Sequence, residues 1–162
     1  MWKRLLILAL VVACDQQPAP RAVSHEWITF EGSWTTTGTR HILDFAPGER
    51  AGVFDVGGTL MLTSSSRDIV GFNAQAIGFS DSRDGLVGRC TWTDERGDRI
   101  FSEIKGGPLG AGSRITGTFV GGTGRFSGIT GEYELQWQYV VDSEDRSIAG
   151  RATGLKGRAK IR

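Results

Sequence analysis

Few residues in this chain can do chemistry, and their spacing narrows the options. Two histidines, His25 and His41, and two cysteines, Cys14 and Cys90, stand apart in a sequence of 162 residues. A zinc or haem site needs such ligands at set spacings, and a nucleophilic triad needs a histidine that can be placed beside its nucleophile. Neither pattern occurs. The run Asp94-Glu95-Arg96-Gly97-Asp98 carries calcium-type side chains. An EF-hand, however, puts helices on both sides and a Glu six residues after its Gly, and here that Glu, Glu103, falls inside a strand-like segment. The run reads as a hairpin turn. Gly122-x-Gly124-x-x-x-Gly128 comes close to a dinucleotide fingerprint, but that chemistry needs a helix after the loop, and a strand pattern follows instead. No metal and no cofactor are expected. Cys90 reads as a small buried residue, because a lone thiol cannot close an internal disulfide.

The remaining candidates are residues that could line a pocket. In Glu132–Val141, Tyr133, Leu135, Trp137, Tyr139 and Val141 share one face of a strand, while Glu132, Glu134, Gln136 and Gln138 share the other. Tyr133, Trp137 and Tyr139 would offer an apolar or aromatic ligand a wall with polar tips. They could equally be plain core, or bury themselves against a neighbouring subunit. Arg89 and Glu103 lie mid-strand on the two arms of the hairpin around Asp94–Asp98. Pointing inward, they would bind a carboxylate or polarise a carbonyl; pointing outward, they would be a solvated cross-strand pair. Asn73 could hold a ligand carbonyl or sit at a strand bend.

These residues are positioned by strands. Period-two runs occur at 27–34, 57–63, 69–79, 86–93, 99–104, 114–120, 132–141 and 148–161, separated by Gly, Pro and Asp clusters. No segment after the N-terminal region shows an apolar stripe at helical spacing. The 24 glycines argue against long helices, since each costs about 1 kcal/mol there relative to Ala. Eight short strands fit a sandwich or a closed barrel. Glycines inside the runs (Gly71, Gly78, Gly88, Gly117, Gly150, Gly154, Gly157) favour the barrel, which needs bends in many strands. The expected fold is all-β, an eight-stranded antiparallel barrel. A net charge of +1 supplies no broad basic field for nucleic acid.

The N-terminus reads as an address. Lys3 and Arg4 precede the apolar run Leu5–Ala13, which is too short to cross a hydrocarbon core that needs about 20 residues. This is the layout of a secretory signal. Its end, Val11-Val12-Ala13-Cys14, resembles a bacterial lipobox, and the resemblance implies lipidation of Cys14 with cleavage before it. The expected organisation is a signal peptide over 1–13, the lipidated Cys and a Pro-containing tether over 14–24, and the barrel over 25–162. The protein would then be anchored to a membrane of the bacterial cell envelope, facing the periplasm. Asp15 after the lipidated Cys resembles the inner-membrane retention signal of enteric bacteria.

Gly121-Gly122-Thr123-Gly124-Arg125-Phe126-Ser127-Gly128-Ile129-Thr130-Gly131, preceded by Ile115-Thr116-Gly117-Thr118-Phe119, resembles the superfamily of allene oxide cyclases and plant dirigent proteins. The hairpin segments Cys90–Asp94 and Gly97–Phe101 look like those of its bacterial relatives. The likeness covers about residues 88–135. It implies an eight-stranded barrel with an interior cavity, often a homotrimer, and cofactor-free activities: ring closure of an oxylipin epoxide, or steering of phenoxy-radical coupling. The catalytic residues of those branches have no counterparts identifiable in this chain. Two functions stay open: an anchored module that binds a hydrophobic small molecule or partner, and a cofactor-independent cyclase or isomerase acting inside the barrel.

Overall fold

The computed structural model describes residues 26–107, 113–143 and 146–161. Eight strands follow one another: β1 Ile28–Ala46, β2 Glu49–Ser64, β3 Ile69–Asp81, β4 Gly85–Thr93, β5 Arg99–Gly106, β6 Ser113–Gly122, β7 Thr130–Asp142 and β8 Ser147–Lys160. Each pairs antiparallel with its sequence neighbours, and β8 pairs back onto β1, so the sheet closes into a barrel. The only helix among the described residues is one 3-10 turn, Gly124–Phe126. Cys14, Asp15 and the expected signal peptide and tether lie outside the described residues.

The alternation seen in the sequence is the alternation between inside and outside. In β4, Leu86, Cys90 and Trp92 are buried while Val87 and Arg89 are exposed; in β7, Tyr133, Leu135 and Trp137 are buried. The inward sets of all eight strands form one core. Two strands run further than their apolar alternation foretells. β1 continues from Trp34 to Ala46, and β2 begins at Glu49 rather than Gly57. Residues 35–46 are rich in Thr and carry Arg40, His41 and Asp44. They are strand because they pair residue for residue with β2, from Thr35↔Thr59 to Asp44↔Arg50. In β7 the shared face ends at Tyr139. A register shift between Tyr139 and Val141 breaks the parity, and Val141 is exposed.

The barrel has two unlike ends. At the end where the chain enters and leaves, the rings of Phe30, Phe72, Trp92, Phe119 and Phe126 pack with centroids 5.2–6.3 Å apart. Over them, Asp94 Oδ1 accepts the backbone N–H groups of Arg96 (2.8 Å) and Asp98 (2.9 Å) and shapes the β4–β5 turn. Its other oxygen lies 2.6 Å from Arg125 Nη2 on the β6–β7 link, with the Asp94 side chain sealed from solvent. Gly124 in that link has φ +52°, and a side chain there would strike the Asp98 carboxylate. Among the described residues the far end shows no such ring cluster; there Arg40 Nη1 donates to Tyr139 OH at 2.9 Å, with the guanidinium 5.1 Å from the ring centroid.

Candidate functional site

The site is the barrel interior, and glycines make room for it. Gly117 of β6 faces Tyr133 of β7, and Gly150 of β8 lies under the Trp137 indole. A Cβ at either position would overlap the ring, so these rings lie flat against bare backbone. The space left inside is lined by apolar side chains together with Trp34, Cys90, Trp92, Tyr133, Trp137 and Tyr139. It amounts to ≈ 30 Å³ for the centres of water-sized spheres, room for about two waters. A pocket for a drug-sized ligand measures about 300–1,000 Å³. The interior is therefore mostly filled, and a ligand there is small or displaces side chains.

Two polar groupings interrupt the apolar lining. On the side of the aromatic plug, Tyr133 OH and Ser102 Oγ are 2.9 Å apart and buried, and Cys90 pairs with Ser102 across β4–β5. Burial pushes the Cys90 thiol up to about 11, only partly opposed by hydrogen bonds with Trp92, Tyr133 and Ser102. Burial, reinforced by Cys90, also holds the Tyr133 phenol well above its usual range. Both therefore stay protonated at neutral pH, and as a nucleophile Cys90 is inert.

The second grouping spans β1, β8 and β7. Trp34, Ala152 and Trp137 form one inward row, and Thr36, Gly150 and Tyr139 form the next. The two indoles meet edge to face with centroids 6.4 Å apart. Trp34 Nε1, Trp137 Nε1 and Thr36 Oγ1 are buried and have no hydrogen-bond partner among the described residues. Buried polar groups are nearly always paired, so three orphans on two adjoining rows set this wall apart from the rest of the interior.

Tyr133, Trp137 and Tyr139 thus line one cavity, which removes the alternative of an outward aromatic face. Arg89 and Glu103 do not join them. Their Nη2–Oε1 contact is 3.1 Å, but the side chains are 66 % and 41 % exposed on the outer face. The reading that placed them inside is corrected by strand parity: Cys90 and Trp92 take the inward positions of β4, which leaves Arg89 outside. Asn73 is also exposed, between Thr59 and Thr93 on neighbouring strands. Sequence reasoning missed Trp34, Thr36 and Ser102. The signal available for Thr36 was its place two residues after Trp34 in a strand.

A larger hollow, ≈ 770 Å³, lies on the outer face of β6, β7, β8, β1 and β2. Its charged groups largely answer one another. Glu134 pairs with Arg114 and, at 3.2 Å, with Lys156; Arg158 pairs with Glu132 at 2.7 Å. Hydrogen bonds from Arg114 first, then Lys156, hold the Glu134 carboxyl below its usual range. Exposed pairs of this kind contribute little to stability and leave little unpaired charge for a ligand. Among the described residues, no three His, Cys, Asp or Glu side chains converge as metal ligands would. Comparison with protein-family models, with curated proteins and with solved structures finds no match for this chain.

Proposed function

We propose that the protein is a lipid-anchored binding module of the bacterial cell envelope whose barrel takes a small apolar or aromatic molecule into its interior. The observation that carries this reading is the apolar cavity lined by Trp34 and Trp137, whose buried indole nitrogens have no hydrogen-bond partner among the described residues. Among the described residues no charged side chain lines it, so these walls can hold and orient a molecule but provide no ionised base or nucleophile. The anchor rests on Val11–Cys14, and the resemblance to the allene oxide cyclase and dirigent superfamily, carried by residues 121–131, belongs to the same proposal. A second reading, a cofactor-independent isomerase or cyclase, is favoured by one observation: Tyr133, whose hydroxyl is 2.9 Å from Ser102 Oγ, lines the cavity together with Cys90. It supplies a proton donor without a matching base, and so ranks second.

Toluene, as a small aromatic probe, tests the binding reading. Toluene-saturated buffer is expected to raise Tm and shift the tryptophan emission of the full chain. No change in either would overturn the reading. Tyr133→Phe should still bind toluene, since it keeps the ring and loses only the hydroxyl. The anchor has its own test: Cys14→Ser should move the protein from the membrane fraction to the soluble one, and equal retention would sink it.

A further inference from the structure

We infer that the interior site is specific for an uncharged hydrogen-bond acceptor on an apolar body (a ketone, ester or ether oxygen), held by the indole N–H groups of Trp34 and Trp137. This rests on the binding reading above and names the ligand class it takes.

The argument begins with what these atoms can do. An indole nitrogen only donates, whereas a threonine hydroxyl donates or accepts. Two of the three orphans, both on residues that line the cavity, therefore demand an acceptor. Within the barrel the built polar pairing is already spent: Tyr133 OH is engaged with Ser102 Oγ, and Tyr139 OH accepts from Arg40. The orphans sit on adjoining rows of one wall, Trp34–Ala152–Trp137 and Thr36–Gly150–Tyr139. The middle strand of that wall contributes only Ala152 and Gly150, the smallest side chains available. The Trp137 ring already fills the space over Gly150, so the open side of the indoles is the cavity that Trp34 and Trp137 both line.

Charge is excluded by the lining. Among the described residues no Lys, Arg, His, Asp or Glu borders the cavity, and an ionised ligand group would lie unpaired against apolar walls. A carboxylate or ammonium is thereby rejected, while a carbonyl is matched. A pure hydrocarbon fits the walls and leaves the indole donors unmet, so it is tolerated rather than selected. The cavity as it stands has room for about two waters, so a ring enters only by displacing side chains, and the end plugged by five aromatic rings is closed to it.

Methylcyclohexane and cyclohexanone have the same number of heavy atoms and differ in one acceptor, so they test the inference directly. Affinities are read on the full chain by calorimetry, and the carbonyl stretch of bound cyclohexanone by infrared spectroscopy. For the wild type, the expected results are binding of both and a bound carbonyl band lowered by hydrogen bonding. Trp34→Phe or Trp137→Phe should weaken cyclohexanone about tenfold while changing methylcyclohexane less than about twofold, and should raise the band. If an indole variant fails to fold, the wild-type band decides: a bound carbonyl stretch at its value in hexane would overturn the inference. Equal losses for both probes, or a band that the variants do not move, would overturn the acceptor inference and leave the binding reading standing. If neither probe binds the wild type, both fall together.

Discussion

Asp94 shows how one carboxylate can serve as a structural latch. Its sealed position pushes the pKa up, but the N–H groups of Arg96 and Asp98 and the Arg125 guanidinium more than offset this, and it titrates below the ordinary 3.8. A depressed carboxylate stabilises the fold fully above its unfolded pKa, near 4, and loses that contribution as pH falls through the lower folded value. Asp94→Asn should therefore unfold at lower urea than wild type at pH 7, and the gap should narrow as pH is taken down to about 2. A gap independent of pH would mean that the carboxylate charge contributes nothing. The same residue shows what a sequence can and cannot tell. Asp94 with Gly97 reads as turn chemistry, and the turn is there. Its ion pair with Arg125, 31 positions on, depends on how two loops meet above the barrel and has no local signature.

Strand parity governs what is legible among the elements. β7 is readable over most of its length because its two faces differ in chemistry; the reading fails only at the irregularity after Tyr139. β4 is harder, because Leu86 and Val87 are both apolar yet face opposite ways. There the large Trp92 decides the inward set, and with it the outward place of Arg89. The outer halves of β1 and β2 carry no apolar alternation and become strand through pairing, which a hydropathy pattern does not record. Glycines inside strands were a sign of curvature in the sequence; in the structure Gly117 and Gly150 are also seats for Tyr133 and Trp137. Gly117→Ala should cost about 1–3 kcal/mol in urea denaturation, because the Tyr133 ring is held on its other side by Trp92 and by Ser102. An unchanged midpoint would show that the ring has room to move.

At the scale of the molecule, sandwich and barrel have similar strand counts and similar alternation, and only the spread of glycines through the runs favoured closure. The structure closes, and the closing seam joins the first strand to the last, from Ile28↔Ala159 to Thr39↔Ser147. Every other strand pair is between sequence neighbours and can form as a hairpin does. The seam alone must bring together segments separated by nearly the whole domain, at a loop-closure cost no local turn offsets. During synthesis, seven strands can be in place while both β1 and β7 still present open edges, the kind of surface on which chains pair with one another. The domain's last fourteen-residue strand thus acts as a time-keeper: until β8 has emerged and docked, the chain is a sticky open sheet, and afterwards it has no free edge.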